Sequence, residues 1–331
     1  MRRSVRRRRN LGVLAAVAVA TSLLAACGSG QADTTTNPEG LTEITFVRST
    51  GATFEGLYIA QEQGYFAEAG LDVDIVAGSP DTSQHIPMVL NGEADLTMGD
   101  PANHLTAISR GIPIRYVTQM QAAVADQTVT DGVLVPPGSP VRSGKDLQGK
   151  RVGVPALGGW MEMNVRYAIE TDGGDPTDVQ LVALPVASLQ EAATKGDVDA
   201  VTLFPSFYQS ALESGFTALH KGTTDFPGLP TSTVIASSEW LARNGEVADA
   251  FVTAITRGLE YANENPDAVR AVDAEYTQMD AETIANRVIP RFVPVFDEQA
   301  VTDAVNRMSA YGMLENEIDM GAVFWENAPV E

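Results

Sequence analysis

Cysteine is nearly absent from this chain: one residue, Cys27, stands among 331. A disulfide framework and a thiolate metal cluster are thereby excluded, since both need several cysteines. The three histidines, His85, His104 and His220, are scattered, which speaks against a histidine-rich metal site. Lysine is scarce too; Lys145, Lys150, Lys195 and Lys221 are the whole supply for Schiff-base chemistry. There is no Gly-x-Ser-x-Gly elbow, no His-Glu-x-x-His and no Walker loop, and Gly158-Gly159 is too short a match for a nucleotide fingerprint. No catalytic residue, cofactor or metal ligand is therefore expected. Positive charge is also short, with 22 Lys and Arg against 43 Asp and Glu.

What is present begins at the N-terminus. Six arginines lie within residues 2–9, and residues 11–26 follow without a charge. A crossing of the bilayer needs about 20 apolar residues, so this shorter run reads as a secretory signal. Ala25 and Ala26 leave room for a peptidase just before Cys27. That arrangement resembles the lipobox of bacterial lipoproteins, whose cysteine carries diacylglycerol. Residues 1–26 are thus expected to be a signal peptide and Cys27 the lipid attachment point, on the outer face of the cytoplasmic membrane. Without residues 1–26 the chain has 305 residues and a net charge of −27. Such an acidic surface repels nucleic acid and anionic lipid.

Residues 27–40 are polar and Gly/Thr-rich, as expected of a lipidated flexible tether. From residue 41 onward, short apolar runs alternate with helical patterns. Ile44 to Val47, Leu71 to Val76, Val152 to Val154 and Val179 to Leu184 read as strands, and 53–66 as one helix. Alternation of this kind implies α/β lobes with parallel sheets. An internal repeat fixes the plan. Gly92, Asp95, Pro101 and Gly111 recur as Gly196, Asp199, Pro205 and Gly215, with the same steps of three, six and ten residues. Two homologous lobes follow, with lobe 1 made of 41–135 and 233–331, including C-terminal helices, and lobe 2 of 136–232. The expected hinge strands are 133–136 and 233–236, around which the lobes would close on a ligand.

Ligands on such sheets sit beyond the carboxyl ends of strands, beside helix N-termini whose free N–H groups suit oxygen atoms. Four loops qualify: 48–53, 99–104, 156–160 and 204–208. Arg48 could pair with an oxyanion or serve as a solvated or lobe-bridging charge. Ser49, Thr50 and Thr53 could donate hydroxyl bonds to ligand or cap a helix. Asp100 could accept from an amine or hold its own loop. Gly158 and Gly159 would admit a ligand close to the backbone, or form a plain turn. Trp160, Phe204 and Tyr208 would supply stacking area, or belong to the core. His104, one turn into its helix, reads as a surface or satisfied histidine.

Several stretches carry a family resemblance: Gly56-Leu-Tyr-Ile-Ala60, Gln63-Gly-Tyr-Phe66, Gly70-Leu-Asp-Val-Asp74, Asn91-Gly-Glu-Ala-Asp95, Asp146 to Val152 and Gly196-Asp-Val-Asp-Ala200. In this order they resemble the sulfonate/taurine/nitrate and thiamine-pyrimidine group of ABC-importer substrate-binding proteins. The resemblance implies a two-lobed type II periplasmic-binding fold that captures a small organic or oxyanion solute and docks on a membrane permease as a monomer. The thiamine-precursor branch shows a Trp-Thr-Pro-Asn-like stretch before its first helix, whereas this chain has Arg48-Ser-Thr-Gly-Ala-Thr-Phe54. Arginine and threonines there favour an oxyanion head. The alternatives are a ligand-sensing domain with a membrane signalling partner, and an enzyme on the same fold.

Overall fold

Residues 34–49, 53–79, 81–126, 128–203 and 205–331 are described in a computed structural model. The expected signal peptide, Cys27, Thr50 and Phe204 lie outside the described residues. The chain first forms β1 (Thr42–Arg48), α1 (Glu55–Glu62), α2 (Tyr65–Glu68), β2 (Leu71–Ala77), α3 (Ile86–Asn91), β3 (Leu96–Gly99), α4 (Pro101–Ser109) and β4 (Ile114–Ala122). It continues with β5 (Gly132–Val135), β6 (Arg151–Val154), α5 (Trp160–Thr171), β7 (Gln180–Ala183), α6 (Val186–Lys195), β8 (Ala200–Leu203), α7 (Pro205–Glu213) and β9 (Thr217–Ala218). Last come β10 (Pro230–Ser237), α8 (Ser238–Arg243), α9 (Gly245–Glu264), α10 (Pro266–Tyr276), α11 (Ala281–Asn286) and α12 (Glu298–Ala310).

The described strands make two five-stranded sheets, in the orders β2-β1-β3-β10-β4 and β7-β6-β8-β5-β9. The orders are equivalent, strand for strand, which realises the duplication read from the sequence. Gly92 and Gly196 end α3 and α6 at φ of 75° and 79°, a region open to glycine. Asp95 then accepts from the Thr45 N–H at 2.8 Å and Asp199 from the Arg151 N–H at 2.9 Å, tying the first turn to β1 and the second to its counterpart β6.

Four differences from the sequence reading stand out. The sheets are mixed rather than parallel: β10 runs antiparallel to β3 and β4, and β5 to β8 and β9. The expected hinge segments 133–136 and 233–236 are part of these antiparallel strands or abut them, so the chain crosses between sheets earlier, within 123–131 and 219–229. The helix expected over 53–66 breaks at Gly64, whose φ of 75° starts α2 on a new axis. Part of the expected tether is also built into the body. Thr36 bridges Thr42, and the Asn37 amide donates to Asp72 at 2.8 Å.

The first sheet is covered on both faces. One core gathers Phe46, Phe66, Trp240 and Phe251 beneath α1, α2 and α9. There α9 meets α1 through glycines: a Cβ on Gly258 would lie 2.5 Å from the Gly56 carbonyl oxygen. The other core joins α3, α4 and α12 to Trp160, Met161 and Met163 of α5, so it extends across to the second sheet. C-terminal segments close the β4 edge, where the Thr118 hydroxyl donates to the Pro294 carbonyl at 2.9 Å and the Trp325 N–H to the Tyr116 carbonyl. No helix of the described residues is long and apolar enough to cross a membrane.

Candidate functional site at the seam between the lobes

The N-termini of α4 and α5, one from each lobe, meet at the seam. Pro101 opens α4 at the position where a missing N–H costs nothing. Asp100 caps it, with Oδ1 accepting from the Ala102 N–H at 2.8 Å. The same carboxylate reaches across the seam, and its Oδ2 accepts from the Trp160 N–H of α5 at 3.0 Å. Its own N–H donates to the Thr82 hydroxyl at 3.1 Å. Burial raises the Asp100 pKa, while the N–H donors of Trp160, Ala102 and Asn103 pull the other way.

Glycine is required where the helices approach. A Cβ on Gly159 would stand 2.9 Å from Asp100 Oδ2 and 3.2 Å from Asn103 Oδ1. Gly158 has φ of 76°, its carbonyl accepts from the Thr106 hydroxyl at 3.1 Å, and its N–H donates to Glu162 Oε2 at 2.8 Å. Glu162 is in turn paired with Arg166 at 2.7 Å. Beside these contacts lies a groove of about 580 Å³, with Ser83, Asn103, Thr106, Leu157 and Glu162 among its walls. That size falls in the usual range for small-molecule sites, about 300–1,000 Å³. Among the described residues no group of three or more His, Cys, Asp or Glu is placed to hold a metal ion.

The loop after β1 has another character. Arg48 is 6% exposed; its Nε donates to the Tyr58 hydroxyl at 2.9 Å and its Nη1 to the Ser49 carbonyl at 3.0 Å. Its guanidinium lies 4.1 Å from the centre of the Phe54 ring. Tyr58 stacks on Tyr276 at 3.6 Å. Thr53 holds φ of 82°, an unusual conformation for a β-branched residue and one that strains the backbone. Behind it, Arg287 joins Glu55 and, at 2.6 Å, Asp273. Burial raises both carboxyl pKa values against the pull of that guanidinium.

Of the residues singled out in the sequence, Asp100, Gly158, Gly159 and Trp160 come together at the seam. Trp160 packs edge-on against Phe226 at 4.9 Å, and its indole N–H is buried without a partner. Arg48, Ser49 and Thr53 form the separate cluster beneath α10. Tyr208 is buried in the second lobe's core with Leu189, Val201 and Phe216. His104 is fully buried, and its Nδ1 lies 2.8 Å from the Thr233 hydroxyl. Burial, then the charge of His85, push its pKa down to about 3, so it is neutral.

Sequence reasoning missed Thr106, Glu162 and a second contact between the lobes. There the Tyr311 hydroxyl donates to Glu170, and the Arg307 guanidinium lies 3.6 Å from that carboxylate and 4.6 Å from the Tyr167 ring centre. The i,i+4 pairing of Glu162 with Arg166 was visible in the sequence; Tyr311 and Glu170, 141 residues apart, leave no local signal. The crossings are also joined, since Asp131 accepts from the Thr223 hydroxyl at 2.7 Å. Burial raises the Asp131 pKa from 3.8 to about 6.

Two lobes of equal strand order, with helix N-termini converging on their seam, define a periplasmic-binding-protein fold. The chain belongs to the NMT1/THI5-like family, whose model matches residues 52–269. The formylaminopyrimidine-binding protein of Halalkalibacterium halodurans is 28% identical over 255 residues, covering 75% of this chain and 74% of that protein. The 4-amino-5-hydroxymethyl-2-methylpyrimidine phosphate synthase THI13 of Saccharomyces cerevisiae is 25% identical over 224 residues; the match spans 63% of each chain, less than two thirds of the synthase. Among solved structures, the periplasmic aliphatic sulphonate binding protein SsuA from Escherichia coli has a TM-score of 0.70 at 18% identity, covering 86% of this chain and 98% of that one. That last likeness is one of fold.

Proposed function

We propose that this protein is the exported solute-binding component of an ABC importer. It captures a small solute between its lobes and presents the closed form to a membrane permease. In this reading it is a monomer held at the outer face of the cytoplasmic membrane by lipid on Cys27, and it catalyses no reaction. The observation that carries the reading is the seam itself, where Asp100 of one lobe caps α5 of the other beside a groove walled by both. Such an arrangement gives a ligand different contacts in open and closed states, which is what closure requires. Arg48, Ser49, Thr50, Thr53, Phe204 and Tyr208 are proposed to complete the site from the remaining loops. The test is thermal unfolding with a solute panel, combined with small-angle scattering. A ligand at about 100 times its dissociation constant adds roughly 2.7 kcal/mol of stability. A shifted melting temperature with a smaller radius of gyration and an unchanged solute supports capture.

The relatives with synthase names motivate a second reading, an enzyme on this fold. It requires turnover of the bound compound, and recovery of that compound intact after prolonged incubation would dismiss it.

A further inference from the structure

The two crossings are fastened to each other at both ends. Near the first sheet the Ala123 N–H donates to the Leu229 carbonyl at 2.8 Å, and the Gly228 N–H to the Ala123 carbonyl at 2.9 Å. Near the second sheet the link is a side chain. Asp131, only 3% exposed, accepts from the Thr223 hydroxyl at 2.7 Å and from the Thr223 N–H at 3.2 Å. Glycines let the backbones close around it: a Cβ on Gly222 would lie 2.5 Å from Asp131 Oδ2, and one on Gly132 2.4 Å from the His220 carbonyl oxygen. Both donors are neutral, and among the described residues no lysine or arginine pairs with this carboxyl. The same short turn also reaches the seam. It ends at Phe226, whose N–H donates back to the Thr223 carbonyl at 3.0 Å and whose ring packs on Trp160 and, at 4.3 Å, on Tyr167. A movement of Trp160 is therefore passed through Phe226 to the residues that cover Asp131.

We propose that Asp131 is a proton switch between the crossings: it takes up a proton when the lobes join and releases it when they part, so that acid favours the joined form. The inference rests on the opening and closing of the solute-capture reading but needs no solute. Motion about two crossings falls on the contacts between them, and parting them hydrates Asp131. A carboxyl buried without a cation keeps its proton, because the ionised form would exchange water for two neutral donors. Burial accordingly raises its pKa to about 6 against the pull of the Thr223 donors, and the charge of Asp225 adds to the rise. A group at about 6 when covered and 3.8 when hydrated favours the joined form fully at low pH and loses that preference as pH rises to about 6. The other titratable groups facing this junction are Tyr208, His220, Lys221 and Asp225, with Asp172 acting on His220. Tyr208 stays protonated, since burial raises its pKa, and Lys221 is exposed. His220, 2.9 Å from Asp225, opposes Asp131: burial lowers its pKa, so its protonation favours the hydrated form.

The test is small-angle scattering of the purified protein without solute, from pH 5 to pH 8, with His220→Gln introduced to remove the opposing group. The ratio of joined to open molecules is expected to fall about tenfold between pH 5 and pH 7 and to change little above, read as a growing radius of gyration. Asp131→Asn in the same background is expected to hold one compact radius throughout, with circular dichroism checking its fold. Thr223→Val deletes a donor to the ionised carboxyl and should move the transition to higher pH by up to about one unit. That shift decides the matter if Asp131→Asn does not fold. A radius that stays flat with pH, a course unaltered by Asp131→Asn, or an unmoved transition in Thr223→Val overturns the inference. If a solute from the panel still compacts the protein at fixed pH, capture stands without the switch; compaction by neither protons nor solute overturns both.

Discussion

The loops that introduce α1 and α5 occupy matching places, each following the central parallel strand of its sheet, yet they are built in opposite ways. The first is self-contained: Thr53 is held in a strained conformation, Arg48 is folded back over Phe54, and an ion cluster of Arg287, Glu55 and Asp273 braces the helix from behind. The second is left incomplete. Gly159 supplies no side-chain cap, and Asp100, which supplies one, belongs to the other lobe. One lobe thus stores strain locally, while the other has a helix end that is finished only when the lobes meet. A cap of this kind is worth about 1 kcal/mol, a small contribution to holding the lobes together.

Four changes would break or sharpen this contrast. Gly159→Val should have the largest effect, because its Cβ meets Asp100 and Asn103 while its φ of −98° suits any residue. Overpacking of this sort costs about 1–3 kcal/mol. Scattering should show a more open body, and solute affinity should fall at least tenfold. Asp131→Asn addresses the crossings that join the two lobes. An aspartate whose native pKa is raised holds more protons folded than unfolded, so its contribution to stability falls as pH rises from 3.8 to about 6. Chemical unfolding across that window should show the decline in the native protein and a flatter profile in the variant.

Tyr311→Phe tests the second contact between lobes. It deletes the hydrogen bond to Glu170, a loss of about 1.5 kcal/mol for a charged acceptor, and should weaken solute binding by up to about tenfold with little change in helix content. Thr53→Gly should act least and in the opposite direction. Relief of strain worth about 1 kcal/mol should raise the melting temperature by about 2 °C, whereas any loss of affinity would mark the Thr53 hydroxyl as a solute contact. A lower melting temperature would show that the loop is not strained.

The duplication was legible because each copy repeats the chemistry its turn needs: glycine for a left-handed helix end, then aspartate to accept an N–H of β1 or of its counterpart β6. The seam was half legible. Asp100, Gly158 and Gly159 follow from the rule that loops after parallel strands carry sites. Nothing in the sequence says that Asp100 would cap a helix 60 residues away. Trp160 illustrates the limit. Its place at a helix start was readable, but an aromatic residue beside a cleft and one packed on Phe226 look alike until the partner is known. The crossings were misplaced by several residues because the apolar runs at Val133 and Thr233 are buried strand, whereas the chain crosses in the polar segments around Asp126 and Lys221.

The turn around Asn37 carries a mechanical consequence. It is fastened to the start of β1, at the opposite end of that strand from the loop that holds Ser49 and Thr53. Seven residues at about 3.3 Å each put roughly 23 Å between those ends. A pull arriving from the N-terminal side therefore enters along the axis of β1, where registered pairs with β2 and β3 share the load in shear. Load of that kind is borne by the sheet before it reaches the seam at Asp100 and Trp160.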